Sequence, residues 1–234
     1  MIIKFCSRLH NPFLSETTIQ LCTLYHYKST DKDFIRDVDE GVVSRTFHPP
    51  TPAVFTGNDI GKMTGLSISG SGTIRFAGRA VKTTNPIPNA YVFCTSRLVQ
   101  PTPEHAASLG YNSWYEIEDA NQLCDTMAYE IRRQVAPGLD ILAFHGEVSY
   151  QEDKEVAYSA LSDFFRSHRV IEPRLYLLKR EASRQNPLKL YAKEQEYRFV
   201  FLPVEKDRRP IPLNKDRIYL ESSCIMEFIE DGTI

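Results

Sequence analysis

The stretch Lys-Glu-Gln-Glu-Tyr-Arg-Phe-Val-Phe at residues 193–201 predicts a β-strand that begins among charged residues and continues into aromatic and aliphatic ones. Side chains two positions apart point to the same face of a strand. Glu194, Glu196 and Arg198 are therefore expected on one face, and the aromatic residues on the other. Because a buried carboxylate pair is costly to desolvate, the two glutamates are candidate functional residues. The alternative is a strand end whose charges are solvent-exposed, as most charged residues are.

The length and composition of the chain are those of a globular protein. It has 234 residues, of which 42% are hydrophobic and 25% charged, with a formal net charge of −2. The sequence has no apolar run of about 18 residues, the length that spans a membrane, and residues 1–6 are typical of a first strand rather than a signal peptide. The five cysteines are scattered and form no Cys-x-x-Cys, so neither a zinc site nor a disulfide framework is indicated. We therefore expect a cytoplasmic protein without membrane contact.

Strand-like runs dominate the chain, and few helical patterns interrupt them. Residues 23–28 alternate and are rich in aromatic side chains, which predicts an early strand. The clearest helix is expected to begin near Asp119, which forms a capping-box-like pair with Gln122; apolar residues then recur every fourth position until a Pro-Gly pair at 137–138. Because no Pro/Gly-rich linker divides the chain, we predict a single α+β domain over residues 1–234 with mainly antiparallel strands.

Several common site motifs are absent from the sequence. It has no phosphate-binding loop of the G-x-x-x-x-G-K-[ST] type, no H-E-x-x-H metal motif and no G-x-S-x-G nucleophile elbow. The glycine pattern at residues 70–75 lacks the third glycine of a dinucleotide-binding Rossmann motif. His145-Gly146-Glu147 contains two metal-binding or catalytic residue types, but one His and one Glu do not make a site. We expect this tripeptide to form a turn between two strands.

Three short pieces of sequence remain, and their order along the chain is informative. The first is Leu-Tyr-His-Tyr-Lys at residues 24–28, the second is Tyr-Val-Phe-Cys-Thr-Ser at 91–96, and the third is Glu-Gln-Glu at 194–196. Each has an ordinary structural explanation, since a His in an aromatic strand is commonly a core residue and Thr-Ser at a strand end commonly forms a turn or cap. In this order, however, the pieces resemble the ADP-ribosyltransferase superfamily.

This resemblance spans about residues 23–202 and implies a fold and a substrate. It implies NAD bound in a cleft of a split core, made of two small, mainly antiparallel sheets with flanking helices. The chain is also similar to uncharacterised bacterial proteins that pair a Leu-Tyr-His-Tyr opening with a late Glu-x-Glu-x-Arg strand. It departs from the superfamily in two ways: its middle strand ends in Cys-Thr-Ser rather than Ser-Thr-Ser, and a first-strand His typical of one branch accompanies the Glu-x-Glu of another. The NAD contacts and the acceptor chemistry are therefore open.

The resemblance also implies roles for individual residues. Glu196 would stabilise the oxocarbenium-like charge on the ribose as nicotinamide leaves, and Glu194 would orient or deprotonate the acceptor. The first two pieces would supply the remaining contacts: His26 to the adenosine ribose, Tyr27 or Tyr91 to the nicotinamide ring, and Thr95 and Ser96 to Glu196 or the nicotinamide amide. Arg198 has an alternative role as a structural partner of one of the glutamates.

A basic segment at residues 166–193 precedes the two glutamates. It contains eight Lys or Arg and two Glu, a net charge of +6. Such a segment would suit an anionic macromolecular acceptor, with nucleic acid slightly ahead of an acidic protein. Modification of such an acceptor is typical of a toxin or defence effector. An inhibitor protein is compatible with this function. The alternative is a solvated loop.

Two interpretations from other functional classes compete with the transferase. One is a non-catalytic binding module on the same fold, in which Glu194 and Glu196 pair with Arg198 or Lys193. The other is a metal-dependent nuclease that holds a divalent ion with Glu147, Glu194 and Glu196. The nuclease would need a further clustered oxygen ligand, and the sequence shows no convincing one.

Overall fold

The computed structural model describes residues 1–14, 18–29, 42–47, 53–56, 58–59, 73–76, 81–98, 100–151, 157–158, 174, 177–181 and 195–232. The strands in these ranges are β1 (Ile2–Cys6), β2 (Thr18–Thr23), β3 (Val42–Phe47), β4 (Ala53–Thr56), β5 (Thr73–Phe76), β6 (Val81–Pro86), β7 (Tyr91–Arg97), β8 (Ser113–Ile117), β9 (Asp140–Glu147), β10 (Ser149–Gln151), β11 (Ala157–Tyr158), β12 (Lys179–Glu181), β13 (Glu196–Val204), β14 (Arg217–Glu221) and β15 (Ile229–Asp231). The α-helices are α1 (Leu24–Ser29), α2 (Pro103–Ser108) and α3 (Ala120–Gln134). Short 3-10 helices span Arg8–His10, Ser222–Cys224 and Met226–Phe228.

The chain forms two compact units, each assembled from segments that are distant in the sequence. The first unit comprises Met1–Gly41, Pro88–Glu152 and Leu177–Ile234, and the second comprises Val42–Ile87 and Asp153–Tyr176. The expectation of a single domain over residues 1–234 stays a prediction.

The first unit is built on one large antiparallel sheet in which β7 is central. Its strand order is β14-β2-β7-β1-β8-β15, and β13 joins β7 to β9. Along one edge β7 pairs with β13 from Tyr91 to Ser96. Its other edge is shared, because β2 pairs near Val92 and β1 pairs near Ser96. The sheet therefore forks beside Cys94, whose carbonyl accepts a hydrogen bond from Lys4 Nζ at 2.7 Å. The predicted α+β class with mainly antiparallel strands is confirmed at this level.

The two faces of this sheet pack against different layers. The face that we call the helix face carries Phe93, Phe199 and Phe201 and is covered by α3, and burying each such side chain contributes about 1.5–3 kcal/mol. The opposite face, which we call the Glu196 face, carries Glu196 and Arg198. Farther along this opposite face, α2 packs on a smaller cluster of Ile3, Phe5, Leu98, Ala106 and Trp114.

Helix α3 forms where its sequence predicts. Asp119 caps it, since the carboxylate accepts a hydrogen bond from the Gln122 backbone N–H at 2.9 Å. Leu123, Met127 and Ile131 are fully buried at a spacing of four residues, which directs one face of the helix into the core. Gly138, at φ 85°, follows the helix in the left-handed region that glycine adopts without steric cost.

In the residues of the second unit that the structure describes, the strands form two small groups. Strand β3 pairs antiparallel with β6 and parallel with β11, and β4 pairs antiparallel with β5. The candidate site residues described by the structure lie in the first unit.

Candidate functional site

Glu196 is the first residue of β13, in the interior of the sheet between β7 and β9. It lies directly opposite Ser96, and Tyr197 lies opposite Thr95. Glu196 is 6% exposed and Arg198 is 2% exposed. The predicted alternation is confirmed within β13, because Glu196 and Arg198 share one face while the aromatic residues Phe199 and Phe201 enter the helix-face core.

A buried ion pair joins Glu196 to Arg198. Arg198 Nε donates to Glu196 Oε1 at 2.6 Å, and Nη2 donates to Oε2 at 3.3 Å. Arg198 Nη1 also donates to the Leu177 carbonyl at 3.3 Å. Removing both charges from water is costly, and the two-pronged contact offsets that cost. The pairing of one glutamate with Arg198, considered as an alternative from the sequence, is therefore present.

The backbone just before Glu196 does not continue the strand. Gln195 has φ 43°, in the left-handed region that is unfavourable for a non-glycine residue. Its carbonyl accepts a hydrogen bond from the Arg97 N–H at 2.7 Å, which keeps Gln195 attached to β7. The argument that Glu194 and Glu196 share a face required an extended backbone at Gln195, so that premise is wrong. Glu194 itself lies outside the described residues.

Polar side chains surround Glu196 on its face of the sheet. Burial, with Cys94, Cys22 and Glu196 nearby, raises the pKa of the Tyr27 phenol well above its usual value. Burial, followed by the charge of Glu196, raises the pKa of the Cys94 thiol to about 12. Both groups are therefore protonated at neutral pH. The Tyr150 hydroxyl accepts a hydrogen bond from the Glu196 backbone N–H at 3.3 Å.

The segment that contains His26 and Tyr27 is a helix, and the predicted strand at residues 23–28 is wrong. Strand β2 ends at Thr23, and α1 begins at Leu24. Thr23 Oγ1 accepts a hydrogen bond from the His26 backbone N–H at 3.1 Å, and Asn89 Oδ1 accepts one from the Tyr25 N–H at 3.0 Å. These side-chain acceptors satisfy the free N–H groups of the first helical turn, which outweighs the strand preference of the aromatic residues.

The two candidate residues of α1, His26 and Tyr27, lie in different surroundings. Tyr27 reaches the Cys94 and Glu196 cluster, whereas His26 Nε2 lies 3.3 Å from Arg217 Nη2. Burial, and then the charge of Arg217, lowers the pKa of His26. The structure therefore brings Tyr27 to Glu196 and places His26 beside the edge strand β14.

The three candidate residues of β7 do not all lie on the Glu196 face of the sheet. Ser96 is 7% exposed and lies opposite Glu196 in the strand pairing, so both are on the Glu196 face. Tyr91 is 2% exposed within the helix-face core. Thr95 Oγ1 donates to the Tyr197 carbonyl at 2.7 Å. Sequence reasoning missed Cys94 at this site, although its spacing of two residues from Ser96 indicates the same face.

The acidic residues proposed for a metal site do not converge. Glu147 lies directly opposite Tyr197 in the strand pairing, on the face away from Glu196, and it forms an ion pair with Arg97. His145 and Glu147 belong to β9, so the predicted turn at 145–147 is wrong. In the described part of the chain, no three His, Cys, Asp or Glu residues are placed to hold a metal ion.

The remaining expectations concern the surface and the membrane. Of the basic segment 166–193, only residue 174 and residues 177–181 are described, so its proposed contact with an acceptor stays a prediction. None of the helices in the described ranges is long and apolar enough to cross a bilayer.

The described candidates thus fall into two groups: Tyr27, Ser96 and Glu196 meet on the Glu196 face, whereas His26, Tyr91 and Thr95 do not. The meeting point lies beside the fork of the sheet, where β7 passes from β2 to β1. Comparisons with protein-family models, with curated proteins and with solved structures find no match to this chain.

Proposed function

We propose that the chain is an ADP-ribosyltransferase that uses NAD, with a split, two-sheet ADP-ribosyltransferase-like core and Glu196 as its central residue. The observation that carries the proposal is the meeting of Tyr27, Ser96 and Glu196 on one face beside the fork of the sheet. These residues come from the three sequence pieces on which the resemblance rests, and they are at least 60 positions apart in the chain.

The chemistry of the cluster suits the cleavage of a glycosidic bond. As the bond between ribose and nicotinamide breaks, positive charge develops on the sugar, and a fixed carboxylate stabilises it. Arg198 holds the Glu196 carboxylate in one orientation. Arg198 occupies two of the about four acceptor positions of this carboxylate. Tyr27, kept neutral by its raised pKa, retains a proton to donate.

The second reactant would be an anionic macromolecule. Its nucleophilic atom forms the new bond to the ribose carbon while nicotinamide departs, and its proton passes to a base, the role that the resemblance gives Glu194. The net charge of +6 over residues 166–193 supports nucleic acid slightly ahead of an acidic protein. Such an activity suits a toxin or defence effector.

A second candidate, the non-catalytic binding module, is favoured by one specific observation. Arg198 engages both oxygens of Glu196, and the two side chains are only 3% and 7% exposed. A carboxylate this buried can stabilise the sheet through its ion pair instead of binding a substrate. The nuclease is less well supported, because Glu147 and Glu196 point to opposite faces.

Release of free nicotinamide from NAD tests the proposal. The wild-type protein, assayed with and without added RNA and DNA, should release nicotinamide, and Glu196→Gln should abolish the release. Glu104→Gln, which changes an exposed carboxylate on α2 of the same unit, should leave it unchanged. Because Glu196→Gln removes the charge that pairs with Arg198, Tyr27→Phe serves as a second variant and should lower the rate while preserving the ring.

One outcome would overturn the transferase, and another would overturn the role of Glu196. If NAD raises the melting temperature of the wild-type protein but no nicotinamide appears, the binding module is the correct function. If Glu196→Gln folds and releases nicotinamide at the wild-type rate, Glu196 is structural and the chemistry lies elsewhere.

A further inference from the structure

On the helix face, three side chains form a hydrogen-bonded chain that the proposed transferase does not use. The Tyr197 hydroxyl lies 2.5 Å from His145 Nδ1, and His145 Nε2 lies 3.1 Å from Asn121 Oδ1. The three residues come from β13, β9 and the first turn of α3. We propose that they form a second reactive site, an acyl-transfer site in which Tyr197 is the nucleophile, His145 the general base and Asn121 a positioning residue.

The hydrogen bonds determine where the imidazole proton sits. The amide oxygen of Asn121 can only accept, so His145 Nε2 carries the proton. In a neutral imidazole Nδ1 is then an acceptor, and the Tyr197 hydroxyl donates to it. This is the arrangement in which a base takes the proton of a nucleophile while a third group orients the base.

Packing holds the reactive groups in place. His145 lies opposite Phe199 in the β9–β13 pairing, and their rings stack at a centroid distance of 5.3 Å. Asn121 is in the first turn of α3, which the Asp119 cap anchors. Tyr197 and His145 are themselves half-buried, so both retain access to solvent.

The state of the phenol explains why a base is needed. Burial, partly offset by the charge of Arg97, raises the pKa of Tyr197 above its usual value. The phenol is therefore protonated at neutral pH, and it becomes an effective nucleophile when an adjacent base removes its proton during attack.

Arg97 favours an acyl substrate. Tyr197 and Glu147 lie opposite each other, and Glu147 pairs with Arg97 through side chains that are 57% and 58% exposed. An ion pair this exposed is weak, so the guanidinium can also approach an incoming oxyanion. A tetrahedral acyl intermediate develops one negative charge on the carbonyl oxygen, which a single guanidinium can offset.

The proposed step is balanced. Tyr197 Oη forms a bond to the carbonyl carbon of an ester, and the bond from that carbon to its leaving oxygen breaks. The phenolic proton passes to His145 Nδ1 and then to the leaving oxygen. Water, deprotonated by the same imidazole, next cleaves the tyrosyl ester, which releases the acid and restores the phenol.

The probe for this site is 4-nitrophenyl acetate. The full chain should give a burst of nitrophenol with transient acetylation at Tyr197, located by peptide mass spectrometry. Tyr197→Phe, which keeps the ring and loses only the hydroxyl, should abolish the burst. The matched control is Tyr129→Phe with Tyr219→Phe, which removes the hydroxyls of two tyrosines that are 64% and 55% exposed and should leave the burst unchanged.

A pH profile separates catalysis from a structural role. In the wild type the burst rate should follow the ionisation of His145, whereas in His145→Gln it should fall at least tenfold at neutral pH and rise only as the phenol itself ionises. Asn121→Leu should slow the burst, and Asn121→Asp, which restores an acceptor, should recover it. Acetylation that follows side-chain exposure, with Tyr129 and Tyr219 modified ahead of Tyr197, would overturn the proposal. Identical pH profiles for the wild type and His145→Gln would do the same.

Discussion

The buried Glu196–Arg198 pair makes a quantitative prediction about stability. Arg198→Met leaves the Glu196 carboxylate in a site where its own side chain is 7% exposed, and Glu196→Leu leaves the guanidinium where its side chain is 3% exposed. Breaking a buried pair from one side costs about 3–5 kcal/mol. Because both groups are almost completely enclosed, solvent screening does not reduce this cost. Arg198→Met also removes the bond to the Leu177 carbonyl, whose net contribution is about 1 kcal/mol.

The double variant distinguishes a lost charge partner from lost packing. With both charges removed, no buried charge of the pair remains, so Glu196→Leu with Arg198→Met should be less destabilised than the sum of the single variants by about 2–4 kcal/mol. The ion pair of Arg132 and Asp140 is the control, since their side chains are 58% and 59% exposed. Arg132→Met should cost less than about 1 kcal/mol.

Urea unfolding measures these differences. The chain has one tryptophan, Trp114, which is 6% exposed in β8 of the same unit, so its fluorescence reports the unfolding of this sheet. With a denaturant dependence of about 2 kcal/mol per molar urea, Glu196→Leu should lower the midpoint by about 1.5–2.5 M and Arg198→Met by about 2–3 M. A shift for Arg198→Met no larger than that for Arg132→Met would refute the reasoning, as would additive effects in the double variant.

Three further changes test local features of the first unit. Thr23→Val should cost about 0.5–2 kcal/mol, because it removes the acceptor for the His26 N–H at the start of α1; equal midpoints in urea would contradict this. Gln195→Gly should stabilise the protein by about 0.5–1 kcal/mol by relieving the left-handed backbone, and a lower melting temperature would show that the Gln195 side chain matters more. A hydrogen bond to Glu230, and then its charge, raises the pKa of Glu118, so the folded state binds the proton more tightly than the unfolded state. Stability from this contact should be full below the usual glutamate pKa and decline as pH rises through the raised pKa. Glu230→Gln should flatten this dependence, and an unchanged pH profile would show that the two carboxyl groups do not share a proton.

Local patterns in the sequence determined the elements whose signals depend on near neighbours. The alternation from Glu196 to Phe201 predicted which β13 side chains share a face, and the structure confirms it. The Asp119 cap and the four-residue spacing of apolar residues predicted α3 in the same way. Both signals act over one or two turns or a few strand positions, so they do not require knowledge of the rest of the chain.

The tertiary structure decided what these elements meet. The helix at Leu24–Ser29 depends on Asn89, 64 positions from Tyr25, as well as on the local Thr23 cap. The pairing of β13 with both β7 and β9 sets Ser96 beside Glu196 and sends Glu147 to the opposite face. A shift of one residue in either pairing would reverse these faces. Strand register is set by contacts across the whole sheet and by the packing of α3 on one side, and neither leaves a signature in any short stretch of sequence.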